Sequence, residues 1–196
     1  MNSFIFTKNP IIPAVRDEET IKEAIDSSCE LLFLLAGDIY SLPKYIDMIK
    51  NANKEVVVHV DLIKGFSGDM VFLKYLKETL GASGIITTKH QMIRMAKSID
   101  LFAIQRIFVF DSAAVKVAKD HIEKLKPDAI EILPGLVPKI VKSFAEEITC
   151  PLITGGFIEY KEEVINAINA GAFSVTTSEK NLWKNNTKIL ELLMKN

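Results

Sequence analysis

Short, almost unbroken apolar runs alternate with longer stretches in which apolar positions return every three to four residues. The runs LLFLL (31–35) and VVVHV (56–60) carry side chains that must be buried on both faces, as parallel strands require. Runs of this kind predict strands at 11–15, 31–35, 55–60, 84–87, 103–110, 129–132, 152–154 and 174–177. Ile21, Ala24, Ile25 and Ser28, and again Val115, Ala118, Ile122 and Leu125, keep the 3.6-residue spacing of an amphipathic helix. The same spacing predicts helices near 18–28, 41–52, 69–80, 90–98, 113–126, 137–147 and 161–170, with a last amphipathic segment over 183–194. Alternating strand–helix units demand a parallel sheet with its helices outside. Eight such units favour an α/β fold of the closed (β/α)8 type, a TIM barrel, over an open doubly wound sheet. With 196 residues the chain lies at the lower bound of about 200 for that barrel, so its loops must be short. No glycine-rich linker or low-complexity tract interrupts the alternation, which predicts one domain over 1–196.

Composition narrows the picture. The chain is 48% hydrophobic and 25% charged, ordinary for a globular protein, and long enough to build a core without disulfides or metal. Its 24 basic and 25 acidic residues leave a net charge of −1, so no global field draws nucleic acid or an anionic membrane, although a local basic patch stays open. Cys29 and Cys150 are isolated and read as reduced structural thiols of a reducing compartment. The start, MNSFIFTKNP, is unlike a secretory signal, and no apolar run approaches the roughly 18 residues of a membrane span. The expected location is cytoplasmic.

In a barrel of this kind the C-terminal strand ends face a shared ligand mouth. Here they carry Arg16 and Asp17; Gly37 and Asp38; His59, Asp61, Lys64 and Gly65; Thr87, Thr88 and Lys89; Asp111 and Ser112; Glu131, Pro134 and Gly135; Thr154, Gly155 and Gly156; and Thr176, Thr177 and Ser178. The glycine pair after the seventh strand and the hydroxyl run after the eighth are the sharpest signal. Glycines let main-chain N–H groups approach an anion, and a following helix N-terminus adds a favourable dipole. Phosphate sits at these two loops in many barrels. Gly155, Gly156, Thr177 and Ser178 are therefore candidate phosphate-binding residues; taken singly, the two strings would read as a tight turn and a helix cap.

Other ionisable residues leave more than one reading. His59 and Asp61, two apart on a predicted strand, share a face; they suit an acid–base pair or a hydrogen-bonded pocket wall, and no third ligand appears at metal-site spacing. Lys89 suits a Schiff base or an anion contact. Arg106, a charge inside FAIQRIFVFDS, needs a partner such as Glu131, Asp111 or the ligand. His90 and His121 fall on helices and read as surface residues. This chemistry fits an isomerase, an aldolase, a synthase or a ligand sensor equally.

The strings PIIPAVRD (10–17), LLFLLAGDI (31–39), VHVDLIKGFSGD (58–69), GIITTK (84–89), IQRIFVFDS (104–112), IEILPGLVPK (130–139), ITGGFI (153–158) and VTTSEKNLW (175–183), in this order, resemble the glycerol uptake operon antiterminator regulatory protein family. The resemblance implies a regulator without catalytic residues or cofactor. It would respond to glycerol 3-phosphate and act on the leader mRNA of glycerol-metabolism genes by transcription antitermination. By position, Gly155, Gly156, Thr177 and Ser178 match the family's phosphate loops, and Arg16, Asp38, His59, Asp61, Lys89, Arg106, Asp111 and Glu131 match its polar mouth. Lys64 departs from the acidic residue expected after HVDLI. The residues alone give RNA little support: no arginine-rich segment or aromatic RNP-like pair is present. Lys116, Lys119, Lys124, Lys126, Lys139 and Lys142 form at most a small patch, which a homodimer would double. The rival expectation is a barrel enzyme acting on a small phosphorylated substrate through Asp61, His59 or Lys89.

Overall fold

The computed structural model describes residues 5–193, so the predicted last segment reaches one residue beyond them at Met194. Eight parallel strands close into a barrel in chain order: β1 (Ile11–Val15), β2 (Leu31–Leu34), β3 (Glu55–His59), β4 (Gly84–Thr87), β5 (Phe102–Phe108), β6 (Ala129–Leu133), β7 (Leu152–Gly155) and β8 (Ser174–Thr177). Closure is made by β1, which sets Ala14 beside Phe33 of β2 and Ile11 beside Val175 of β8. Around it lie α1 (Ile5–Lys8), α2 (Glu18–Ile25), α3 (Ser41–Asn51), α4 (Met70–Lys74), α5 (His90–Ser98), α6 (Ser112–Leu125), α7 (Pro138–Ala145), α8 (Lys161–Asn169), α9 (Lys180–Lys184) and α10 (Asn186–Leu193).

Alternation along the strands divides the core into an inside and an outside. Ile12, Phe33, Val57, Ile86, Ile104 and Ile153 pack together within the barrel, while Ile11, Val15, Leu32, Leu34, Val56, Val58 and Ile85 meet the helices. Both faces are buried, which is why the strands read as continuous apolar runs. Outside β6 and β7 a separate cluster joins Ile130, Ile132 and Leu152 to Ala118, Ile122, Val141 and Phe144.

Four local features differ from the sequence expectation, each with a physical reason. The four-residue helix α1 is too short to show a period, yet its fully buried Phe6 packs with the interior cluster. The Phe6 carbonyl accepts the Ser174 hydroxyl at 2.9 Å, which closes the N-terminal end. After His59 the chain turns into a 3-10 helix over Val60–Leu62, so Asp61 leaves the strand. The helix expected over 69–80 is α-helical only through Lys74 and continues as a π-helix over Tyr75–Thr79. The last segment breaks at Asn185 between α9 and α10, with Trp183 fully buried at the end of α9. Its indole N–H donates to the Thr177 carbonyl at 3.0 Å, so the exit of β8 is pinned from outside.

Cys29 and Cys150 are free thiols, and burial raises both to about 11. Among the described residues no helix is long and apolar enough to cross a membrane.

Candidate functional site

The uppermost interior layer of the barrel is polar. Arg106, on β5, ion-pairs through Nε with Glu131 Oε2 at 2.5 Å, and β5 and β6 set the two residues side by side in register. The other carboxylate oxygen of Glu131 accepts the Thr176 hydroxyl at 2.6 Å. Glu131 is wholly buried, so these bonds are what make its charge tolerable. Gly155 explains itself here: a Cβ at that position would lie 1.9 Å from Thr176 Oγ1. The glycine leaves room for the hydroxyl to reach Glu131.

Above this layer, across the ends of β7, β8 and β1, opens a cavity of about 310 Å3. Arg16, Arg106, Gly156, Phe157, Ser178 and Glu179 are among its lining residues, and Ala14, Leu35 and Leu133 form its apolar floor. Gly156 has φ +80°, a left-handed conformation that favours glycine, and Phe157 follows at φ +60°. An aromatic residue held there, with its ring mostly in solvent, stores backbone strain at the cavity rim. Thr177 works inward: its hydroxyl donates to the Ile158 carbonyl at 2.6 Å and accepts the Glu179 N–H at 3.0 Å. It thereby staples the two loops together, leaving the exposed Ser178 hydroxyl to the cavity. The helix dipole expected behind the glycines is not at hand. Helix α8 starts only at Lys161, and its Glu163 carboxylate takes the N–H groups of Glu159 and Tyr160 at 2.8 and 3.0 Å. Arg16 and Arg106 are the cationic side chains on the cavity's lining, the second of them paired with Glu131. Glu159 and Glu179 on the wall favour a ligand with hydroxyl donors as well.

The remaining predicted residues lie elsewhere on the mouth. Asp61 accepts the Thr87 hydroxyl at 2.8 Å, the Thr88 N–H at 2.7 Å and the Thr88 hydroxyl at 2.9 Å. Burial acts to raise its carboxyl, but these donors outweigh burial and hold it below the usual carboxylate range. Lys89 is exposed and stands 3.8 Å from Asp61. Asp38 takes the N–H groups of Tyr40 and Ser41 at the start of α3. Asp111 caps α6 through the Ala114 N–H at 2.8 Å. Of the partners considered for Arg106, Glu131 is therefore the one it meets. His59 is buried beneath the mouth with no partner for Nδ1; burial, then the Arg106 charge, depresses it to about 4, so it is neutral at pH 7.

Twelve residues were expected at the mouth, and Arg16, Arg106, Gly156, Thr177 and Ser178 line the cavity together. Gly155 and Glu131 sit directly under it. Sequence reasoning missed Phe157, Glu159 and Glu179 as wall residues, and Thr176 as the hydroxyl that anchors Glu131. Thr176 stood in the hydroxyl run, but alternation along β8 was the signal that it points inward. His90 and His121, expected on the surface, are only half-exposed and meet edge to face with ring centroids 4.5 Å apart. Among the described residues no group of three His, Cys, Asp or Glu side chains is arranged for a metal.

These features define a (β/α)8-barrel protein with a ligand-sized cavity over its last two strands. The chain belongs to the glycerol-3-phosphate responsive antiterminator family, whose model matches residues 11–183. It is 38% identical over 186 residues to the uncharacterized protein YgcP of Escherichia coli K12, covering 95% of this chain and 97% of that protein. The crystal structure of the glycerol uptake operon antiterminator regulatory protein of Listeria monocytogenes superposes with a TM-score of 0.84 at 33% identity, over 89% of this chain and 94% of that one. A glycerol uptake operon antiterminator-related protein of Thermotoga maritima gives 0.81 at 32% identity, over 90% and 98%. Orotidine 5'-phosphate decarboxylase of Pyrococcus horikoshii, at 15% identity and a TM-score of 0.70, shares the fold alone.

Proposed function

We propose that this protein is a cytoplasmic regulator that binds glycerol 3-phosphate at the barrel mouth and, so loaded, acts on leader mRNA to let transcription pass a terminator. One observation carries the reading. A chain of a glycerol-3-phosphate responsive family gathers Gly156, Thr177 and Ser178 with Arg16 and Arg106 around one cavity of about 310 Å3. That volume is at the low end of ligand pockets, which run from about 300 to 1,000 Å3, and suits a three-carbon phosphate. The phosphate sits at the Gly156 and Ser178 loops within reach of the arginines, and the glycerol hydroxyls reach the glutamates. The placement of the reactive groups supports a binding role without turnover. Asp61 spends its carboxylate on Thr87 and Thr88, and neither it nor Lys89 lines the cavity.

Thermal unfolding tests the ligand. Glycerol 3-phosphate at a hundred times its Kd is expected to stabilise the fold by about 2.7 kcal/mol by mass action, and glycerol not at all. Gly156→Asp, which strains a left-handed position and puts a carboxylate in the seat, is expected to abolish the shift. A shift retained in that variant, or an equal shift with glycerol, removes the phosphate site. RNA affinity is expected to rise with the ligand and ligand affinity reciprocally with RNA. Turnover of phosphorylated three-carbon compounds that is lost in Asp61→Asn would establish an enzyme instead.

A further inference from the structure

We infer that the C-terminal end of β5, between α5 and α6, is the seat of an unpaired RNA base. This rests on the RNA reading above and adds to it where RNA binds and by what chemistry.

The sign of the site is an aromatic pair that the fold does not use. Phe110 is 86% exposed and Phe108 47% exposed, and their rings lie nearly parallel, 9° apart with centroids at 6.2 Å. Leaving two phenyl faces in water forfeits burial that each could otherwise gain. Neither ring serves the barrel core, and Asp111, next in sequence, is turned to the α6 N-terminus. Phe108 also forms one wall of a second cavity of about 310 Å3, which shares only Arg106 with the mouth cavity and whose other walls include Thr88, His90, Ala114, Val117 and His121. The walls are flat aromatic or small apolar groups, which accept a planar ring. Exposed cations flank it, Lys89 and Arg94 on the α5 side and Lys116 on α6, with Asp111 and Asp120 exposed among them, and Lys89 is held no closer than 3.8 Å by Asp61. Aromatic faces beside cations are how single-stranded nucleic acid is gripped, by stacking and phosphate contact. A duplex keeps its bases stacked on one another and cannot use such a platform.

Strand β5 also ties this cleft to the ligand mouth. Gln105 lies on the cleft wall, and its amide nitrogen donates to the carbonyls of Thr88 and Arg106, both at 3.1 Å. That fixes the orientation of a side chain only 2% exposed, whose Oε1 is left without a donor. The next residue, Arg106, lines both this cleft and the mouth cavity, with its guanidinium on Glu131. Arg106 is therefore common to the ligand mouth and the base seat, a route for the reciprocal coupling proposed above.

The test enriches a single-stranded RNA pool, randomised over about 15 positions to exceed the stacking footprint, on the full-length protein with glycerol 3-phosphate. The enriched RNA is then titrated against wild type, Phe110→Ala, Phe110→Leu and Phe110→Trp by fluorescence anisotropy. We expect Phe110→Ala and Phe110→Leu to weaken binding about tenfold, Phe110→Trp to restore it, and a duplex of the same sequence to bind poorly. The glycerol 3-phosphate melting shift is expected to be unchanged in all three, because Phe110 is outside the mouth cavity. Failure to enrich any RNA overturns the RNA reading and this inference together. Enrichment with equal binding by Phe110→Ala overturns the inference and leaves the reading standing. Self-association lost in Phe110→Ala with RNA binding intact assigns the platform to a second copy of the chain, and likewise overturns it.

Discussion

Two arcs of the same barrel mouth carry similar residues and do different work. From β7 through β8 to β1, the loops hold glycines and hydroxyls, and an open cavity lies between them. From β2 to β4 the strand exits carry Asp38, Asp61 and Lys89, but the carboxylates are occupied by nearby donors. Asp61 is claimed by Thr87 and Thr88 at the exit of β4, whereas for Asp38, and for Asp111 after β5, the difference is set by where the following helix begins. Asp38 stands three residues before Ser41, and Asp111 three before Ala114, so each side chain meets an N–H of the helix it introduces. Gly156 stands five residues before α8, whose N-terminus is already served by Glu163. A polar residue at a strand exit is free for a ligand when neither a helix start nor, as at Asp61, a neighbouring strand exit claims it.

The largest expected effect comes from the layer under the open arc. Arg106→Leu strips the cation from the wholly buried Glu131 and is expected to cost about 3–5 kcal/mol of stability in denaturant unfolding. Arg106→Leu combined with Glu131→Leu should recover much of that, because the uncompensated charge goes too. A loss below about 1 kcal/mol for the single variant would show that Glu131 is protonated or hydrated rather than paired.

His59 gives an effect of the next size. Its folded value of about 4 lies below the ordinary 6.5, so the unfolded chain takes up its proton first as pH falls. The stabilisation is complete above about pH 6.5, falls away between 6.5 and 4, and is gone below 4. Its size is on the order of 3 kcal/mol. Lowered carboxyls such as Asp61 act in a more acidic window. The wild-type stability difference between pH 7 and pH 4.5 should therefore shrink in His59→Gln. Parallel pH profiles for the two proteins would exclude a buried, neutral histidine.

The contrast between the arcs also explains what was legible in the sequence. Alternation of apolar runs was enough for the barrel, since every strand is buried on both faces and every helix on one. The strand ends differ by one or two residues: β3 stops at His59, where the 3-10 turn begins, β5 stops at Phe108, and β6 and β7 each run one residue further than expected. The candidate site was half legible. Gly156 and Ser178 follow from loop position, and Arg106 had to be paired somewhere. Phe157 was not legible, because nothing in its identity announces a left-handed backbone. Glu159 and Glu179 read as ordinary loop and cap residues until β7 and β8 stand side by side.

The smallest expected effect tests the contrast most directly. Asp111→Ala removes a helix cap at the mouth without touching the cavity over β7 and β8. The cost should be about 1 kcal/mol of stability, the usual value of an aspartate cap. Asp111→Asn should lose less, since the amide oxygen still accepts the Ala114 N–H. Glycerol 3-phosphate should bind the Ala variant with its Kd unchanged by calorimetry, and Asp38→Ala should leave the Kd unchanged in the same way. Ser178→Ala, in the open arc, is the counterpart: little change in stability and a weaker Kd. The contrast breaks if Asp111→Ala or Asp38→Ala weakens the ligand as much as Ser178→Ala does, for then the whole rim recognises the ligand and the helix caps are only one of its duties.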